Sequence, residues 1–303
     1  MRTETIDALT AFARQNPDVM LLTADLGYSV LERFAESLPA QYANVGVCEQ
    51  AMVGVAAGLS LSGRRVVLYS IANFPTLRCL EQLRNDVCYH NLPVTVIAVG
   101  GGLAYGPQGY THHGVEDLGI MAMLPNMAVV CPADPLEAAA LLPQLLERRG
   151  PGYLRLGRSG EPALHAPGTV LRLGEAAWLR RGADVALLAT GSIAGAALSA
   201  AERLAARGIT ASVASFHSFR PLDEAAVLAA ARGHRAILTV EEHAVSGGFG
   251  TGVADVLMGA GVATRFGKFG VTDALRGQIG SQAWLLGRLG DMAEHAAALL
   301  APR

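Results

Sequence analysis

Apolar residues recur along this chain in two rhythms. Short, largely apolar runs at Val19–Thr23, Arg65–Tyr69, Pro93–Val99, Val129–Val130 and Tyr153–Leu156 predict strands buried on both faces. Between them, spacings such as Ile6, Leu9, Phe12 and Ala13 predict helices. These cover Thr3–Gln15, a segment ending at Glu36, Glu49–Ser62, Thr76–Tyr89 and Pro135–Arg149, with Asp134 as N-cap of the last. Residues 157–174 are polar and lack periodicity, as a connecting segment would. The alternation then resumes with strands Val185–Ala189, Ala211–Ser215 and Ala236–Val240. Helices Ala194–Arg207, Asp223–Ala231 and Thr251–Met258 accompany them. The pattern predicts an α/β protein with two doubly wound, mainly parallel units. We place them at residues 1–160 and 174–303, with a linker at 161–173.

Composition narrows the function. The formal charge is −2, from 24 Lys and Arg against 26 Asp and Glu, which gives no electrostatic case for nucleic acid or an anionic membrane. No apolar run approaches a membrane span, and the first residues carry acids where a secretory signal would be apolar. Cys48, Cys79, Cys88 and Cys131 lie far apart and form no metal-type pair, as expected of thiols in a reducing cytoplasm.

Five places carry candidate chemistry. At Val45–Leu59 a strand tip runs into a small-residue helix. This puts Glu49 at a helix N-terminus, outside the carboxyl ends of the strands where open sheets bind ligands. It could equally be an ordinary first-turn acid. The loop Tyr105–Asp117 follows the strand Pro93–Val99 and should open at the same edge. Its His112 and His113 could donate hydrogen bonds or move protons, or do nothing at the surface, and nothing in the spacing fixes a metal site. The run Ser246–Gly252 fails the dinucleotide fingerprint and predicts a tight strand-to-helix turn. Arg158, near the end of the first unit, could fork onto a phosphate or lie solvated on the linker, and Phe74 could be a core aromatic.

Read together, these segments resemble the C-terminal half of transketolase. The segments are Val45–Met52, Gly109–Glu116, Leu124–Met127, Tyr153–Arg158, Phe219–Asp223 and Val240–His243. The resemblance implies a pyrimidine-binding domain and a C-terminal domain of a thiamine-diphosphate enzyme. It implies that Glu49 hydrogen-bonds N1′ of the aminopyrimidine and favours the imino tautomer that deprotonates the thiazolium. It sets Phe74 against the pyrimidine and Asp25 among the cofactor-binding residues. It makes His112 a substrate-contacting catalytic residue, and puts Arg2, Ser29 and Arg158 on a sugar-phosphate acceptor.

Two departures stand out. Gln108, a substrate-binding candidate, replaces an aspartate that reads the donor C2 hydroxyl, and Gly100 replaces a common phosphate-binding histidine. The diphosphate and Mg²⁺ motif, Gly-Asp-Gly with a downstream Asn, is not in the sequence. The resemblance therefore implies a split enzyme that pairs with an N-terminal-type subunit as α2β2. It would transfer a two-carbon ketol unit to an aldose or aldose-phosphate. The alternatives are the beta subunit of a 2-oxoacid dehydrogenase or acetoin-type complex, a relative of 1-deoxyxylulose-5-phosphate synthase, and a non-catalytic scaffold subunit.

Overall fold

The computed structural model describes residues 1–301. Six parallel strands form most of the first sheet: β1 (Val19–Thr23), β2 (Tyr42–Asn44), β3 (Arg65–Ile71), β4 (Val94–Val99), β5 (Ala128–Val130) and β6 (Gly152–Leu156). They lie in the order β5-β6-β4-β3-β1-β2. Every residue of β4 is buried, as its run, apolar but for Thr95, requires. The second half supplies β7 (Ala177–Arg180), β8 (Val185–Thr190), β9 (Ala211–Ser215), β10 (Ser218–Arg220), β11 (Ala236–Ala244) and β12 (Arg265–Val271). Five of these make a second sheet, β12-β11-β8-β9-β7, parallel except for β7 on β9. The exception is β10, which leaves its own half and pairs antiparallel with β5 at the edge of the first sheet.

In-phase registers fix where the loops open. Thr23 pairs with Tyr69, Ile71 with Val99, and Val99 with Leu156. The carboxyl ends of β1, β3, β4 and β6 therefore share one edge, where open α/β sheets bind ligands. The helix Glu49–Leu61 packs on this sheet through Met52, Val53, Ala56, Ala57 and Ser60, an i, i+3, i+4 stripe. Its other face, with Ala51, Gly54, Val55 and Gly58, is exposed.

Three expectations need correction. The single helix over Thr76–Tyr89 is instead a 3-10 turn (Leu77–Cys79), one α turn (Leu80–Gln82) and a π segment (Leu83–Cys88). Turns tighter or wider than α shift side chains off the α period, so residues of the 3-10 turn after Phe74 face positions that a 3.6 rhythm does not give. The helix expected up to Glu36 spans only Glu32–Ser37. Residues 24–31 before it form a loop in which Asp25 and Ser29 adopt positive φ. Helices Asp117–Met123, Gln282–Gly287 and Met292–Leu300, with strands β7, β10 and β12, add to the predicted set.

The polar stretch 161–173 is tied down rather than free. Asp134 accepts from the N–H groups of Leu164 and His165 as well as capping its own helix at Glu137. Gln144 bonds Leu171 O and Leu173 N, and His165 Nε2 meets Glu137 Oε1 at 2.7 Å. The hydrogen bond to Glu137 raises the His165 pKa above its ordinary value. Asp134 adds to that rise, and buried His217 lies close by. A raised folded-state pKa stabilises fully below the unfolded value near 6.5, and that contribution is lost as pH climbs through the folded value. Compared by thermal melting, wild type should exceed His165→Asn by a margin that shrinks from pH 6 to pH 9. A margin independent of pH would mean that the pair does not titrate.

Candidate active site

Glu49 is the first residue of its helix and is only 3% exposed. A buried carboxylate without a donor is costly. Here Arg78 donates from Nη1 to Oε2 at 2.7 Å. The guanidinium carbon of Arg78 lies 4.4 Å from the ring centre of Phe74, a cation–π distance. Phe74 meets the His112 ring edge-on at 5.3 Å, and His112 meets Tyr105 at 6.2 Å. Arg158 lies 5.7 Å over Tyr105. Glu49, Arg78, Phe74, His112, Tyr105 and Arg158 thus form one line of contacts along the loop edge of the first sheet. The Cys79 thiol beside Glu49 is pushed up to about 12, by burial first and then by that carboxylate.

The loop that carries His112 is held at both ends. Its stem closes where Gly102 and Gly114 exchange backbone hydrogen bonds. Arg155 donates to Gly114 O at 2.8 Å and Glu242 O at 2.7 Å, and pairs with Asp117 at 3.3 Å. Glu242, on β11 of the second sheet, accepts from Leu103 N–H at 2.7 Å and from Gln282. At the tip, Asn73 donates to Thr111 O and His113 O. His113 is buried and bonds Gly106 O through Nε2, which must carry the proton because a carbonyl only accepts. Of the two histidines, His113 holds the loop in shape, and His112 stands beside Phe74.

The other predicted residues divide. Arg2 lies near Tyr69, whose hydroxyl is pushed up to about 12 by burial, with the Arg2 charge opposing that rise. Asp25 sits at the tip of β1 and bonds Asn44 and Tyr28 rather than any residue of the Glu49 line. Ser29 is exposed, with its N–H on Glu32. Gln108 is exposed in a short 3-10 turn. The Gly100 departure has a steric reason. A Cβ there would collide with the Tyr105 ring, so the tyrosine fills the space of a side chain at position 100.

The Ser246–Gly252 turn is not a phosphate cradle. Glu241 already takes the N–H groups of Phe249 and Gly250, at 2.6 and 2.8 Å, and burial pushes its carboxyl up to about 7. Sequence reasoning gave no role to Arg78, Asn73, Tyr105 or Glu242, although Tyr105 opens the loop it singled out, Glu242 lies in the segment Val240–His243, and Asn73 adjoins Phe74.

Among the described residues, no group of three His, Cys, Asp or Glu side chains is placed to hold a metal, and no helix is long and apolar enough to cross a membrane.

Comparison with known proteins gives a consistent result. Residues 1–161 match the transketolase pyrimidine-binding domain, and residues 174–290 match the transketolase C-terminal domain. The chain is 36% identical, over 93% of its length and 91% of the relative's, to the 6-deoxy-6-sulfo-D-fructose transketolase subunit of Clostridium sp. (strain MSTE9). It is 37% identical, over 83% and 81%, to an apulose-4-phosphate transketolase subunit of Phocaeicola vulgatus. A solved structure described as a split gene transketolase, inactive beta4 tetramer, superposes with a TM-score of 0.87 at 36% identity. That match covers 99% of this chain and 96% of the other.

Proposed function

This chain belongs to the transketolase family, and from that premise we propose that it is the pyrimidine-binding subunit of a two-chain, thiamine-diphosphate-dependent transketolase. The observation that carries the proposal is the buried Glu49 carboxylate at a helix start, joined through Arg78 to Phe74 and so to His112. A planar, N–H-donating guanidinium already lies against both Glu49 and Phe74, so an aminopyrimidine of similar shape and chemistry suits the same two groups.

Thiamine diphosphate, when bound, supplies the carbon that carries the two-carbon unit between sugars. The residues of this chain serve the pyrimidine end and part of the substrate site. Glu49 holds and shares a proton at N1′ of the pyrimidine. Phe74 offers a flat apolar face that orients the ring. His112, placed by the Asn73 and Arg155 contacts, donates a hydrogen bond to a donor or acceptor oxygen. Arg158 brings positive charge to the far end of the line and Arg2 adds a second cation, which suits an aldose phosphate. Asp25, Ser29 and Gln108 belong to the rim of the same edge and would meet cofactor or substrate as the partner closes over it.

The diphosphate and Mg²⁺ would be held mainly by a second, N-terminal-type chain in an α2β2 assembly, consistent with relatives that are named as subunits. The exposed small-residue face around Gly54 and Gly58 suits close contact between subunits. We place the assembly in the cytoplasm.

The test mixes this chain with a candidate partner that carries Gly-Asp-Gly and a downstream Asn, adds thiamine diphosphate and Mg²⁺, and follows ketol transfer. Turnover is expected from the mixture and none from either chain alone. Release of carbon dioxide from 2-oxoacids, without ketol transfer, would overturn the assignment.

A further inference from the structure

We propose that Arg78 is the internal occupant of the pyrimidine seat, and that it leaves Glu49 when the cofactor ring arrives. The proposal rests on the reading of Glu49 and Phe74 given above. Three observations carry it. Arg78 Nη1 donates to Glu49 Oε2 at 2.7 Å, so the buried carboxylate has a cationic partner without any ligand. The guanidinium carbon lies 4.4 Å from the Phe74 ring centre, so it covers aromatic surface on which a planar heterocycle could stack. The Arg78 side chain is 46% exposed, so rotation about its own stem can carry it into water while Glu49 stays in place.

A guanidinium and an N1′-protonated aminopyrimidine share the features this seat selects: a flat delocalised cation with in-plane N–H donors. Exchanging one for the other keeps Glu49 paired in both states, which avoids the penalty of an uncompensated buried charge. A contact made only in the cofactor-free state opposes binding by its own strength. Arg78 therefore sets how much of the intrinsic cofactor affinity is expressed. It also marks the seat as one for planar amidine-like cations in general.

The experiment is calorimetric titration of thiamine diphosphate, with Mg²⁺, into the assembled two-chain protein. Arg78→Ala should bind the cofactor roughly fivefold or more tightly than wild type, the discount for partial exposure included. Without cofactor, the same variant should melt lower, because Glu49 has lost its partner. Arg78→Gln, which keeps the length and loses the charge, should shift affinity in the same direction. Guanidinium chloride at tens of millimolar should weaken cofactor binding to Arg78→Ala, whereas potassium chloride at equal ionic strength should not. If wild type binds the cofactor and both variants bind equally or more weakly, the proposal is overturned while the cofactor assignment stands. If the wild-type assembly binds none, both fall.

Discussion

Glu49→Gln in the assembled enzyme should lower kcat by at least about a hundredfold, with little change in substrate KM. Positioned proton transfer contributes on the order of a hundred- to ten-thousandfold to rate, and an amide cannot share a proton with a ring nitrogen. The substitution is nearly isosteric. Before the cofactor binds, the amide oxygen can still accept from Arg78, so the fold keeps its shape, and the loss would be chemical rather than structural. Thermal melting within a few degrees of wild type, together with the loss of turnover, is the expected pair of results. Turnover near wild type would remove Glu49 from the mechanism, whatever its burial.

The second large effect concerns stability. Arg155→Met should lower the melting midpoint by about 5–8 °C, from the roughly 3–5 kcal/mol cost of breaking a buried ion pair. Arg155 and Asp117 are 4% and 0% exposed, and their contact is 3.3 Å. Removing the cation leaves Asp117 with the Tyr153 hydroxyl as its remaining side-chain donor. It also removes a donor from Gly114 O, which keeps the Gly102 N–H, and from Glu242 O, the two carbonyls that Arg155 spans. A second substitution, Asp117→Asn, should recover part of the loss, because the charge left behind is then gone. A shift of a degree or two from Arg155→Met alone would show that water or rearranged donors replace the guanidinium.

The parts of the fold legible in the sequence are those whose rhythm is set by burial alone. Val94–Val99 reads as a strand because both of its faces are covered, and the helix from Glu49 reads as one because its apolar stripe keeps the α period. Strand β12, Arg265–Val271, hides behind its own Arg, Lys and two Gly, since an edge strand need cover only part of its surface. Strand β10 has three residues and exists because β5 offers it a partner. The site divides on the same principle. Glu49, Phe74 and His112 stand in recognisable local segments. Arg78 acts on a carboxylate 29 residues away, Asn73 on a loop 38 to 40 residues away, and Glu242 on an amide 139 residues away. Such relations are made by packing, and no local spacing encodes them. The broken helix after Phe74 adds to this, because Arg78 sits in its 3-10 turn and off the α period.

Strand β10 also decides how the molecule can come apart. Its three residues belong to the second half by sequence and to the first sheet by hydrogen bonding. A cut in the 161–173 stretch would therefore sever the chain without separating its halves. Expressed on its own, a fragment ending there would present β5 as a bare strand edge, an invitation to pair with any neighbour. The connecting segment looks like a hinge in the sequence, but the fold has stitched across it, so the two sheets share one fate when the protein is heated, nicked or divided.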